Sequence, residues 1–447
     1  MVYLLLIFAL SVIICIFSGH LSNFVIPILF YSIGQVLTFT LSDQNNRKVY
    51  SRLYGTAYTV FMAYAVLCYI YMQEKGFSCL LVTDTITSYI PAVEDFMRLD
   101  SLKDGLALLY GDIDTSFYSH TGIILFYWTL VGKLAELCGY ELYFNLQVSI
   151  FFLSAFVPVF LCKLLSQYDI KKPEKWSLLY VFCSVFFYYS TLILRDAPIA
   201  LFYIIAFSYL FSKSSIKKHI VFIMMIGLSY FIRPQNGYFL LLFYYISFFS
   251  NSEKQKGSSY IVLALAAIGI SYVSMRLDIL DAFERNSLYL AENISQETEG
   301  FINALDRLPP IISLFSKAIY IHISPIPAWF YMGIRGVNES NNILGFPRMF
   351  AVWYNFLILG CVIYGVLHYK SFHFSRKSTL FFLASLLFLL LQTSSTEQRR
   401  IMICYPAVFL FALIVYQRIP KVDCKTITRL SLVFFFMLQL LGLARGL

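Results

Sequence analysis

Three short segments of this chain set arginines beside acids or amides at the ends of apolar runs. In STLILRDAPIALF, Arg195 and Asp196 separate two such runs with almost no loop between them. Charges held this close to hydrocarbon are costly, so they pair with one another or line a cavity. A guanidinium is a planar fork that matches two phosphate oxygens. Arg195 is therefore a candidate ligand for a lipid-linked phosphate, with Asp196 to orient it. A purely structural Arg–Asp pair is the plainer alternative. In SYFIRPQNGYFLLLF, Arg233 occupies a second minimal turn that Pro234 and Gly237 shape. Gln235 and Asn236 add amide donors and acceptors suited to sugar hydroxyls. The third segment, STEQRRIMICYP, crowds Glu397, Arg399 and Arg400 at the end of another run.

Groups able to move a proton lie earlier. Asp84, in VTDTITSYIPAVEDF, is followed by Tyr89, Glu94 and Asp95. At a span end Asp84 could serve as a general base or bind sugar hydroxyls; the alternative is a solvated carboxylate that caps a helix. The segment GDIDTSFYSHTG holds Asp112, Asp114, Tyr118 and His120. His120 could exchange protons near neutral pH. The Asp112–Asp114 spacing alone is weak support for a divalent cation, and no metal site is expected. The nine cysteines form no CxxC pair, and Cys15, Cys183 and Cys361 lie inside apolar runs as packing residues. No Walker or dinucleotide glycine pattern occurs, so no nucleotide cofactor is expected.

The elements that must position these groups are membrane helices. The chain of 447 residues is 59% hydrophobic and 13% charged, against roughly 25% charged for soluble domains. Its mean hydropathy is +0.71. Apolar runs near spanning length recur along residues 1–447, which reads as one all-α, polytopic membrane domain of about 11–13 spans. All are helices, because an open strand edge cannot be satisfied in lipid. The runs include 2–17, 54–73, 144–163, 176–194, 197–212, 219–232, 237–250, 379–392, 401–416 and 430–445. The first is read as a retained span rather than a removed signal peptide.

Six loops are markedly basic, around Arg47–Arg52, Lys171–Lys175, Lys213–Lys218, Lys254–Lys256, Lys370–Lys377 and Arg418–Arg429. The positive-inside rule places all six in the cytoplasm. That topology requires 122–139 and 311–333 not to cross, as interfacial or re-entrant helices. Two long loops then face outside: 74–143, with its interfacial helix, and 275–348. The second mixes Arg276, Arg285, Arg307, Arg335 and Arg348 with acids and HISPIPAWF, as a lid over a glycan or as solvated surface.

The basic loops are mostly lysine, whereas arginine predominates elsewhere. Orientation needs only charge, so arginine on the outer side points to a phosphate-bearing ligand, with interfacial snorkelling as the alternative. The net charge of +9 resides in loops that meet membrane lipids and is no nucleic-acid signal.

Taken in order, these segments resemble a known superfamily. An early outer-loop Asp84 is followed by YSHTGIILFYWTLVGKLAELCG, the LRD turn, the IRPQNG turn and EQRRIMICYP. The order resembles GT-C membrane glycosyltransferases and bacterial O-antigen and exopolysaccharide polymerases of the Wzy and EpsG-like types. The resemblance implies a GT-C-like multi-pass protein of the bacterial inner membrane. It would polymerise undecaprenyl-diphosphate-linked repeat units on the periplasmic face, as in lipopolysaccharide O-antigen assembly, alongside other polysaccharide assembly proteins. Asp84 and His120 would then be catalytic. Arg195, Asp196, Arg233, Gln235, Glu397, Arg399 and Arg400 would bind substrate. A single-sugar transferase using a polyprenyl-monophosphate donor is an alternative, and that reading admits a divalent metal. A lipid-linked oligosaccharide flippase is another, although the chain shows no internal repeat.

Overall fold

The computed structural model describes residues 2–73, 85–98, 122–212, 215–249, 305, 307–324, 345–392 and 398–446. Among these the protein is all-helical. Asp84, Asp112, Asp114, Tyr118, His120 and Glu397 lie outside the described residues, as do Arg276, Arg285 and Arg335.

Helices α1 (Val2–Ser18), α2 (Ser22–Leu41) and α3 (Arg47–Gln73) pack on one another. After a π-helical turn, Thr85–Tyr89, come α4 (Ile90–Met97) and α5 (Gly122–Leu137), which pack together. Next are α6 (Leu142–Ser154), α7 (Val157–Ser166), α8 (Pro173–Cys183) and the short α9 (Val185–Tyr189). The central elements are α10 (Asp196–Leu210), α11 (Ile216–Ile232) and α12 (Pro234–Phe249), the last two forming a hairpin. The chain ends with α13 (Pro310–Ile323), α14 (Phe346–Leu367), α15 (Arg376–Gln392), α16 (Gln398–Ile401), α17 (Tyr405–Arg418) and α18 (Lys421–Gly446).

Among the described residues, five stretches are long and apolar enough to cross a membrane: α2, α3, Leu142–Ser166 (α6 and α7 together), α14 and Lys421–Gly442 of α18. The protein is thus a helical membrane protein. Shorter apolar helices are Val2–Ser18, Asp196–Leu210, Ile312–Ile323 and Tyr405–Arg418. Helix α13 has 14 residues, about 21 Å at 1.5 Å per residue, and falls short of a hydrocarbon core about 30 Å thick.

One expected span is overturned. The run 176–194 is not a continuous helix. Helix α8 stops at Cys183, and Ser184 is extended, with its hydroxyl accepting from the Phe186 amide. A serine that satisfies a backbone amide in this way favours a helix start over a helix interior. Helix α9 follows, and residues 190–195 are irregular; Ser190, Thr191, Leu192, Ile193 and Leu194 are all buried. Non-helical backbone survives within a membrane domain only where protein or a water-filled cavity surrounds it.

Aromatic contacts hold this broken segment. Phe61 of α3 stacks on Phe151 of α6 at 5.6 Å and on Phe187 of α9 at 5.5 Å. In a lipid setting such packing, rather than exclusion from water, draws helices together, and each ring pair adds about 0.5–1.5 kcal/mol.

The two ends of the bundle differ chemically. At one end Tyr168, after α7, meets Ser378 of α15 at 3.2 Å, and Arg418 donates to the Phe372 carbonyl at 2.9 Å. The Lys171 amide reaches Gln417, and Tyr50 of α3 lies in the field of Cys162 on α7. The basic residues Arg47, Lys171, Lys218, Lys370 and Arg418 therefore lie toward this end. The Arg195 and Arg233 turns lie at the opposite ends of α10 and α11.

Candidate functional site

Residues Arg195 and Asp196 follow the irregular segment and open α10. Arg233 is the extended residue between α11 and α12, with φ −159° and ψ 105°. Its backbone shape comes from its neighbours. Pro234 is the first residue of α12, where a missing N–H is harmless and a fixed φ suits the helix. Gly237 does not form the turn but lies within α12. A Cβ there would stand 2.6 Å from Tyr230 Cβ and 2.9 Å from Tyr230 Cα. Glycine thus lets α12 approach the backbone of α11, which brings Arg233 over the start of α10. Tyr203 of α10 fastens the arrangement, donating to the Asn236 carbonyl at 2.6 Å.

The central contact is an ion pair. Arg233 Nη1 donates to Asp196 Oδ1 at 3.2 Å, with the side chains 12% and 1% exposed. Asp196 was expected to orient Arg195; it binds Arg233 instead. Arg195 Nη1 donates to the Ile232 carbonyl at 3.4 Å, a C-terminal carbonyl of α11. The reason is geometric: adjacent residues at a helix start diverge, whereas the α11–α12 hairpin delivers Arg233 across the gap.

The third arginine segment joins them. The charges of Arg233, Arg399, Arg195 and Arg400 all act on the Asp196 carboxylate. Three segments distant in sequence thus bring four guanidinium groups within electrostatic range of one buried acid, with Arg233 at ion-pair distance. Burial, and then the neighbouring Arg233 charge, pull the Arg195 guanidinium down to about 10. It remains a cation at neutral pH.

Several polar atoms here lack a hydrogen-bond partner among the described residues. They are Arg195 Nε, Asp196 Oδ2 and both amide atoms of Asn236, which is fully buried. Each such group costs about 1–3 kcal/mol unless water or a ligand meets it. Gln235, expected to contact substrate, is exposed, and its neighbour Asn236 points into the protein. Sequence reading named both amides but could not separate them, because only the helical phase of α12 decides which one is buried.

The π-helical turn Thr85–Tyr89 is anchored beside this cluster. Thr85 Oγ1 donates to the Ile193 carbonyl at 3.0 Å, two residues before Arg195. Tyr89 lies within the field of Arg195 and packs on Trp128 of α5, with ring centroids 5.4 Å apart. Asp84 itself lies outside the described residues, but its neighbour Thr85 is tied to the arginine turn.

Three residues at this end did not figure among the expected site residues. His322, near the end of α13, is buried, and its Nδ1 donates to the Ala318 carbonyl at 2.7 Å. A carbonyl only accepts, so Nδ1 carries the proton and Nε2 presents a lone pair. Burial lowers the pKa of this imidazole. Gln398, the residue before Arg399, donates to the carbonyls of Ile321 and Ser324 and so ties α16 to the end of α13. Arg348 donates to Tyr189 Oη at 3.1 Å and lies over the Tyr188 ring at 5.0 Å, which joins α14 to the broken segment. The available signals were HIS within HISPIPAWF and an arginine opening a span. Neither stands out without the fold.

Among the described residues no group of three His, Cys, Asp or Glu side chains is placed to hold a metal. No family model, curated protein or solved structure matches the chain. Fold and site together define a helical membrane protein with a buried arginine cluster at one end of its bundle.

Proposed function

We propose that the arginine cluster binds the diphosphate of an undecaprenyl-linked glycan. On this reading the protein is a glycosyltransferase that polymerises surface-polysaccharide repeat units at the outer face of the bacterial inner membrane. The observation that carries the proposal is the convergence of Arg195, Arg233, Arg399 and Arg400 on one buried carboxylate, beside polar atoms that have no partner.

The reaction asks for what these residues offer. An acceptor hydroxyl of a new lipid-linked unit attacks the anomeric carbon of the growing chain. The bond from that carbon to the diphosphate oxygen breaks, and the electron pair leaves with the lipid diphosphate. Arginines that face the leaving oxygens stabilise the charge as it develops. The acceptor proton passes to a base. Asp84 and His120 are candidates from the sequence, and the Nε2 lone pair of His322 is a third. The lipid carries the activated sugar, so the scheme needs no nucleotide.

The test is the glycan profile of a strain lacking the protein. Loss of the long-chain ladder with a single repeat unit retained supports a polymerase. Loss of even the single unit supports a single-sugar transferase. An unchanged profile sinks both. Complementation with Arg195→Ala should leave the ladder absent while the protein remains in the membrane.

A further inference from the structure

Glycosyl transfer to a hydroxyl needs an atom that takes the hydroxyl proton, and the arginine cluster cannot supply it. A guanidinium only donates. Asp196 is ill suited, because its carboxylate pairs with Arg233 at 3.2 Å and feels three further guanidinium charges, and neighbouring cations weaken a carboxylate as a base. Of the described histidines, His20 is exposed at the α1–α2 turn. His219 lies near the start of α11, and His368 and His373 lie between α14 and α15, all toward the basic end of the bundle. His322 stands at the other end, beside α16.

Hydrogen bonds fix which atoms of the α13–α16 junction can accept. His322 is 8% exposed and next to last in α13. Its Nδ1 meets the Ala318 carbonyl, so Nδ1 holds the proton and Nε2 keeps a lone pair. Gln398 Nε2 donates to the carbonyls of Ile321 and Ser324. Only the NH₂ side of the amide can meet two carbonyls, so its orientation is settled by its partners. Gln398 Oε1 is then left with no partner among the described residues, on a buried side chain. The junction thus offers two acceptors where the cluster offers donors. Buried acceptors match groups that donate, which on a glycan are hydroxyls.

The same short helix serves both places. Gln398 holds the end of α13 around His322, and the next residue, Arg399, acts on Asp196. The imidazole is also backed by a fixed ring. Tyr405 of α17 lies against it, with centroids 5.7 Å apart, and Tyr405 Oη donates to Asn355 Oδ1 at 2.6 Å. Burial favours the neutral imidazole, the form able to take a proton.

We propose that His322 is the base of the transfer, its Nε2 receiving the proton of the acceptor hydroxyl as that oxygen bonds to the anomeric carbon. In the same step the bond from that carbon to the diphosphate oxygen breaks, and its electron pair leaves with the lipid diphosphate. The imidazolium so formed keeps its Nδ1–H bond to the Ala318 carbonyl and releases a proton to water before the next round. Gln398 is a positioning residue. This assignment rests on the transferase reading.

The experiment uses the full-length protein in proteoliposomes, supplied with the lipid-linked repeat unit that accumulates in the deletion strain. His322→Asn is the informative variant, because the asparagine amide can still donate to the Ala318 carbonyl but nothing replaces Nε2. Its kcat should fall about a hundred- to ten-thousandfold, the usual contribution of a general base, with KM, membrane abundance and pyrophosphate affinity unchanged. His322→Ala should regain turnover when imidazole is added, which a packing role would not allow. A normal kcat in His322→Asn, beside a wild type that extends the glycan, overturns the base and leaves the transferase reading standing. So does a fall in kcat that is matched by lost abundance or pyrophosphate affinity, or that imidazole does not restore in His322→Ala. A wild type that leaves the repeat unit unextended removes the transferase reading and the base with it.

Discussion

Replacing Arg233 with alanine separates a ligand role from a structural one, because the ion pair to Asp196 gives each role its own magnitude. The pair is close to fully desolvated, with side chains 12% and 1% exposed. Removing one partner of a buried pair costs about 3–5 kcal/mol, mostly through the charge left behind. In Arg233→Ala the remaining Asp196 carboxylate still feels Arg195, Arg399 and Arg400, so the loss should lie near the lower end, about 3 kcal/mol. In Asp196→Ala four cations lose the buried carboxylate on which their charges act, so the loss should reach the upper end, about 5 kcal/mol. The assay is thermal unfolding of both variants in detergent, with and without pyrophosphate as a soluble diphosphate. Pyrophosphate should rescue Asp196→Ala more than it stabilises the wild type, because the anion replaces the missing acid. Its affinity for Arg233→Ala should fall about ten- to a hundredfold. If Arg233→Ala binds pyrophosphate as the wild type does, Arg233 is a counter-ion to Asp196 and no more. If Asp196→Ala is the milder variant, the picture of four arginines held by one acid is wrong.

Three further outcomes are expected. Arg195→Lys keeps a charge but loses the fork, so polymer formation in a complementation assay should drop at least tenfold with normal membrane abundance; near-normal activity in both Arg195→Lys and Arg195→Ala would make it structural. Gly237→Ala drives a Cβ to 2.6 Å from Tyr230 Cβ and should cost about 1–3 kcal/mol by overpacking, measured as lower unfolding temperature with weaker pyrophosphate binding. His322 has a folded pKa below its unfolded value of about 6.5, so the unfolded state binds the proton more readily; stability should hold above that pH and decline as pH falls through and below it. His322→Phe should flatten that decline, and an unaltered acid limb would assign it to other groups.

The arginine segments were legible in the sequence because charge is scarce in this chain and cannot be placed casually beside apolar runs. Pro234 reads in the sequence as part of a turn with Gly237, whereas it opens α12 and Gly237 lies inside that helix. What stayed hidden depended on contacts between distant residues. Asp196 pairs with Arg233, 37 positions away, rather than with its neighbour Arg195. The break at Ser184 was masked by continuous hydrophobicity, since VFCSVFFYYSTLIL satisfies any apolar window whether or not its backbone is helical. The burial of Asn236 depends on helical phase. A basic loop reads the same in sequence whether its lysines are solvated or enclosed.

The broken segment ties these observations together. A continuous helix over 176–194 would satisfy its own backbone and leave nowhere for a buried charge except a lipid or protein wall. Ending α8 at Cys183 and continuing as α9 and an irregular stretch gives up intrahelical hydrogen bonds within the membrane domain, where unsatisfied groups are most costly. Part of that cost is offset locally. Thr85 donates to the Ile193 carbonyl at 3.0 Å and Gln147 to that of Thr191 at 2.5 Å, so the break recruits the π-helical turn Thr85–Tyr89 and α6 to the same spot. The gain is that Arg195 and Asp196 begin α10 inside the bundle rather than beyond it, within reach of the α11–α12 turn and of α16. On the proposed function, a diphosphate, with negative charge on each phosphorus, would match the arginines that act on Asp196 better than a neutral sugar does. The broken helix is the structural step that brings Arg195 and Asp196 to that place.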